Sequence, residues 1–260
     1  MTITYRGTTA LITGASSGLG AEFATQIAAR GADVVLVARR EDRLRQLADQ
    51  LAREQRIAAT VIPLDLGRAG AAADLVSELD ERGIGIRTLV NNAGFGMKGA
   101  FVESDADRIA EMVQLNVSTL VALTRALLPQ LVAGTGALVN VASNGAYQPC
   151  PNMAVYGATK AFVLSFSEAL SYETRDTGLA VVAVSPGATK TEFFDVLGQR
   201  GYAMASFQTS EQVVTRTLRE LDRRDTPPSF VSGRTNAIAA KMAGIVPRRL
   251  ALAMAGRALG

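Results

Sequence analysis

The feature that most constrains this chain is a regular alternation of short apolar runs with longer amphipathic stretches. The short runs are Thr8–Thr13, Asp33–Ala38, Ala58–Pro63, Arg87–Asn91, Ala137–Ala142 and Leu179–Ser185, with a shorter one at Ser229–Ser232. Between them lie Leu19–Arg30, Glu41 to about Gln55, Ala69–Arg82, Asp105–Val132, Ala154–Arg175 and Ser210–Arg223, each with helical patterning. Strands of four to seven residues without polar alternation are expected to be buried on both faces. Repeated strand–helix units of this kind predict a single doubly wound α/β domain, a parallel sheet with helices on both faces. In such sheets ligands bind beyond the carboxyl ends of the strands, so the residues just after each strand carry the functional information.

Composition narrows the chemistry. The 260 residues include no histidine and one cysteine, Cys150. Histidine general-base chemistry, the Ser-His-Asp triad, histidine zinc sites and cysteine-rich clusters are thereby excluded, and no metal site is expected. No targeting segment is recognised at the start, and Asn116, Arg125 and Pro129 break the apolar stretch Leu115–Ala133, so a soluble, cytoplasmic protein is expected. The net charge is +3. It is concentrated beyond Asp225, the last acid, in Arg234, Lys241, Arg248, Arg249 and Arg257. The body is therefore slightly acidic, and no nucleic-acid partner is expected.

After the first strand, Thr13-Gly14-Ala15-Ser16-Ser17-Gly18-Leu19-Gly20 leads into a helix. Glycines let backbone approach a pyrophosphate, and free N–H groups at a helix N-terminus receive it. Gly14, Ser16, Ser17, Gly18, Leu19 and Gly20 are the candidate cradle. After the second strand stand Arg39 and Arg40, where an acid would suit the ribose of NAD(H) and an arginine suits a 2′-phosphate. NADP(H) is favoured over NAD(H). Arg39, at the strand exit, is the preferred contact, while Arg40 also fits the start of a charged helix.

Tyr156 and Lys160 stand at i and i+4, on one helix face. A tyrosine becomes an acid–base group near neutral pH when a cation favours its phenolate, and Lys160 can supply that cation. Several ordered motifs now make the chain resemble the short-chain dehydrogenase/reductase family, in its shorter soluble Rossmann-fold branch. They are TGASSGLG at 13–20, Asp65, NNAG at 91–94, Asn116 in LNV, Ser143 in VNVAS, Tyr156–Lys160 and PGATKT at 186–191. The resemblance covers about residues 8–233. It implies that Tyr156 protonates a carbonyl oxygen, Ser143 polarises it, Lys160 lowers the Tyr156 pKa and holds the nicotinamide ribose, and Asn116 holds a relay water. It also implies that Asp65 faces adenine, that Leu66, Asn92, Ala93 and Gly94 line the cofactor, and that Pro186, Gly187, Thr189 and Thr191 hold the nicotinamide end. Asn144 departs from the family's usual small residue there and could face the substrate.

Three segments are expected to wall the substrate: Phe95–Met97, Asn144–Val155 and an aromatic-rich lid at about 192–208. They hold no cationic cluster, which points to a small apolar carbonyl or alcohol. Cys150 is read as a pocket-lining thiol. Met112, Leu120, Leu123, Leu127, Phe162, Phe166 and Leu170 exceed what one sheet face should bury, so a homo-oligomer, dimer or tetramer, is expected. A domain over 1–235 is followed by a helical extension over 236–260, split by Pro247. That extension is expected to pack on the body or a partner subunit in preference to an anionic membrane surface. The expected function is an NADP(H)-dependent oxidoreductase. The alternative is a non-catalytic NADP(H)-binding regulatory or sensor protein on the same fold.

Overall fold

The computed structural model describes residues 3–192 and 208–259. Seven strands form one parallel sheet in the order β3-β2-β1-β4-β5-β6-β7. They are β1 Thr9–Thr13, β2 Asp33–Ala38, β3 Ala59–Pro63, β4 Thr88–Asn91, β5 Ala137–Val141, β6 Ala180–Ser185 and β7 Ser229–Val231. The helices are α1 Gly18–Ala28, α2 Glu41–Gln55, α3 Ala71–Glu81, α4 Ala106–Val113, α5 Leu120–Val132, α6 Ala154–Glu173, α7 Ser210–Leu221, α8 Arg234–Ile245 and α9 Arg248–Leu259. This is the Rossmann-type doubly wound sheet that the patterning implied.

The strands lack polar alternation because both faces are covered. Ala10 and Ile12 of β1 join Phe23 and Ile27 of α1, Leu44 of α2 and Val214 and Leu218 of α7 on one side. Leu11, between them, joins Leu75 of α3, Leu123 and Leu127 of α5 and Leu170 of α6 on the other. Each fully buried Leu, Ile or Phe contributes roughly 1.5–3 kcal/mol. Residues 106–132 form a helical run apolar and long enough to cross a membrane by composition, contrary to the expectation that polar residues would prevent it. Its apolar side packs against the sheet through Leu123, Leu127 and Leu131, as a core helix does.

That packing also corrects the reasoning behind the expected oligomer. Met112, Leu120, Leu123, Leu127 and Leu170 are buried within one chain. Phe162 is 42% exposed and stacks on Phe166, with centroids 5.9 Å apart.

The strand order reverses between β1 and β4, which opens the crevice for a ligand. Asn92 ties the two strand ends together there. Its Nδ2 donates to the Thr13 carbonyl at 2.9 Å, and its own N–H donates to Thr13 Oγ1 at 3.0 Å. Asn91, in the same motif, is buried in a polar ladder instead, donating to Thr124 Oγ1 at 3.0 Å and Asn140 Oδ1 at 2.9 Å.

Candidate active site

A cavity of about 400 Å³ runs along the carboxyl ends of the strands. At one end it is lined by Gly14, Ser16, Ser17, Leu19, Arg39 and Arg40, and at the other by Ser143, Tyr156, Lys160, Pro186 and Gly187. Asp65, Leu66, Asn92, Ala93, Gly94, Thr189 and Thr191 also line it. Arg39 follows β2 and Ser143 follows β5, three strand spacings or about 14 Å apart. Of the expected site residues, Gly18, Gly20 and Asn116 are not among the lining residues.

Gly20 serves the loop from behind, whereas a Cβ on Gly18 would meet Thr191 Cγ2 at 3.1 Å. Gly14 has φ +67°, the left-handed region, where a Cβ would also lie 2.8 Å from Asn92 Nδ2. A Cβ on Gly20 would collide with the Gly14 carbonyl oxygen. The glycines thus allow the strand exit and helix entry to meet. Ser17 occupies the N-cap of α1 yet makes no side-chain cap bond. Among the described residues, the first N–H groups of α1 therefore have no side-chain acceptor at their cap, beside the cavity. An anion answers that need, so a dinucleotide pyrophosphate fits here.

The two arginines differ. The Arg39 side chain is 66% exposed and lies 3.8 Å from Glu111. Arg40 folds back onto the phosphate loop, with Nη2 donating to Ser16 Oγ at 3.0 Å and Ser17 Oγ at 2.8 Å. Its Nη1 pairs with Glu192 at 2.8 Å, and Arg43 pairs with the same carboxylate. Hydrogen bonds from Arg43 and then Arg40 hold the Glu192 pKa down at about 2. Both arginines line the cavity, with Arg40 turned toward the phosphate loop.

Asn116 sits in a π-helical insert, Gln114–Thr119, between α4 and α5. Such inserts re-aim side chains without ending a helix. Asn116 Nδ2 donates to the Phe95 carbonyl at 2.9 Å and to Thr159 Oγ1 at 3.1 Å, and Oδ1 accepts from Phe95 N–H at 3.1 Å. The side chain therefore holds the Gly94–Phe95 backbone. A Cβ placed on Gly94 would be 2.8 Å from Asn116 Oδ1 and 3.5 Å from Lys160 Nζ, so the three groups meet.

Lys160 is buried and donates to the Val141 carbonyl at 2.8 Å. Burial lowers its pKa to about 8. Ser143 Oγ accepts from Gly145 N–H at 3.1 Å, which leaves its own proton to donate. A Cβ on Gly145 would lie 3.6 Å from Ser143 Oγ, 3.8 Å from Tyr156 Cε1 and 3.2 Å from Cys150 Sγ. Ser143, Tyr156 and Cys150 therefore surround one point. Burial raises the Cys150 thiol pKa, in keeping with an unreactive lining group.

Beside this point Met112, Cys150, Met153 and Tyr156 form an apolar cluster with Phe95, Met97 and Val155. Asn144 does not line the cavity, and its N–H donates to the Pro186 carbonyl at 2.9 Å. Asp65 Oδ1 accepts from Gly67 N–H at 2.9 Å while lining the cavity. The expected lid residues Phe193, Phe194, Val196, Leu197, Tyr202, Met204 and Phe207 lie outside the described residues. Reading the sequence overlooked Ala38, Leu64, Leu115, Val141 and Ala142 as lining residues. For all but Leu115, which precedes Asn116 in the π-helical insert, position at a strand end was the only available signal.

The family model described as short chain dehydrogenase matches residues 8–201. Sulfoacetaldehyde reductase 2 of Chromohalobacter salexigens is 39% identical over 186 residues, 70% of this chain and 73% of that relative. A solved short-chain dehydrogenase from Sphingobium yanoikuyae, in complex with NADPH, shares 37% identity and a TM-score of 0.82 over 95% of each chain. The bulky-bulky ketone specific alcohol dehydrogenase from Comamonas testosteroni shares 34% identity and a TM-score of 0.76, covering 92% of this chain and 93% of that one.

Proposed function

Because the chain belongs to the short chain dehydrogenase family of oxidoreductases, we propose that it interconverts a carbonyl and a secondary alcohol, using NADP(H), on an apolar substrate. The observation that carries this reading is the joining, in one cavity, of Ser143, Tyr156 and Lys160 with Arg40 and the uncapped end of α1. When bound, the nicotinamide cofactor supplies or accepts the hydride.

The residues would divide the work as follows. The uncapped N–H groups of α1 hold the pyrophosphate, and Arg40 with Arg39 meets the 2′-phosphate by charge-assisted bonds. Ser143 donates to the carbonyl oxygen and polarises it. Tyr156 passes its phenolic proton to that oxygen as the carbon is reduced, and takes a proton back in the oxidative direction. The Lys160 ammonium stabilises the phenolate left behind. Asn116 is a positioning residue that fixes the Gly94–Phe95 backbone beside Lys160.

Support for an apolar substrate comes from the Phe95, Met97, Met112, Cys150 and Met153 cluster beside Tyr156. The cations lining the cavity among the described residues are Arg39, Arg40 and Lys160, all assigned above. The bulky ketone specificity of the Comamonas relative agrees with this. A homo-oligomer is part of the proposal, with exposed Phe162 and Tyr172 on α6 as the apolar groups available to a partner subunit.

The test is turnover of a panel of apolar ketones and secondary alcohols, followed by NADPH absorbance. Consumption of NADPH with bulky ketones supports the reading. Tight NADPH binding with no turnover of any substrate favours the sensor alternative.

A further inference from the structure

The two C-terminal helices are amphipathic in an inverted sense. α8 turns Ala240 inward, while Ile238, Met242 and Ile245, at i, i+4 and i+7, are 65%, 51% and 68% exposed. α9 turns Ala251 and Ala255 inward and exposes Leu250, Leu252 and Met254. In both helices these alanines are the buried residues, and the large apolar ones named face out. These are six of the eleven large apolar side chains exposed on the described chain. Concentration of that kind marks an interaction surface.

Charge decides among occupants. Arg234, Lys241, Arg248, Arg249 and Arg257, all exposed, are interspersed along the same two helices, and no acid follows Asp225. A two-fold contact with a second copy would set these cations against themselves. An anionic surface with apolar depth satisfies both features. We propose that α8 and α9 form an interfacial anchor that lays this face of the protein on anionic lipid, with Ile238, Met242 and Ile245 in the apolar boundary and the cations at the headgroups.

The anchor is tied to the substrate side of the cavity. Asn236 of α8 packs against Gly187, leaving no room for a Cβ there. A Cβ on Gly256 of α9 would lie 3.8 Å from Pro151, next to Cys150. Docking on lipid would therefore set that side of the cavity near the bilayer, where apolar molecules partition.

The experiment is co-sedimentation of the full chain with phosphatidylcholine vesicles, with and without phosphatidylserine, at low and high salt. Binding is expected only with phosphatidylserine, and reversal is expected at high salt. Changing Lys241, Arg248 and Arg249 to Gln should weaken binding about fivefold per residue, roughly a hundredfold together. Ile238→Ser, Met242→Ser and Ile245→Ser together should abolish it, with unchanged thermal unfolding because these side chains are exposed. If the apolar variant does not fold, the Gln variant alone carries the test. Wild type remaining in the supernatant, or binding equally with both variants, overturns the proposal. So does a fall in solution mass by light scattering in the apolar variant, which assigns the face to a second copy.

Discussion

The Lys160 ammonium nitrogen lies 6.0 Å from the centre of the Tyr156 ring. One helical turn separates the two residues, and the Val141 carbonyl, 2.8 Å from Nζ, fixes the lysine from the sheet side. The pair is thus set by α6 and by the end of β5 together. Tyr156→Phe should leave NADPH affinity close to wild type and cut kcat to under a few per cent, since only the proton donor is lost. Substantial residual turnover would remove tyrosine from the mechanism.

Burial of Lys160 has a consequence for stability. Its folded pKa is about 8, below its ordinary value of 10.5. Below about pH 8 the group is protonated in both states, and the cost of burying its charge is fully present. Between these values the unfolded chain binds more protons, so this group's contribution to stability rises with pH. Denaturant unfolding of wild type and Lys160→Met at about pH 7 and about pH 9.5 should show the difference moving toward wild type by roughly 1–2 kcal/mol. A pH-independent difference would show that the lysine is not titrating there.

Arg40 donates to Ser16 and Ser17, whereas Arg39 is mainly exposed. Arg40→Ala should raise the NADPH dissociation constant about tenfold or more, with little change for NADH, at the roughly 1.5–3 kcal/mol of a charged hydrogen bond. Arg39→Ala should do less. Equal affinity of wild type for NADH and NADPH, measured by fluorescence titration, would refute the preference for NADP(H).

Gly20→Ala drives a methyl group into the Gly14 carbonyl and within 2.6 Å of Asn92 Nδ2. Backbone must move to admit it, at about 1–3 kcal/mol. Calorimetric titration should show cofactor affinity falling at least tenfold, together with a lower Tm. A variant that binds normally would show that the loop tolerates the shift.

Much of the molecule is legible in the linear sequence. Strand and helix positions follow from apolar periodicity, since a strand covered on both faces admits no polar alternation and a helix must turn one side to the sheet. Tyr156 and Lys160 are visible because four residues along a helix bring two side chains to one face. Gly14 and Gly20 are visible because close backbone approach leaves no other residue type. Tertiary contact decided the rest. It turned Arg40 rather than Arg39 onto the phosphate loop, because Ser16 and Ser17 are distant in sequence and offer their oxygens only once β1 and β2 are paired. It set Asn116 against the Phe95 backbone, through a π insert that no local pattern announces. It also buried Ala240, Ala251 and Ala255 and left Ile238, Met242, Ile245, Leu250, Leu252 and Met254 outside. Hydrophobicity alone assigns those larger side chains to the interior. Which face of each helix meets the body is set by tertiary contact, and there close packing is made through Ala240, Ala251 and Ala255.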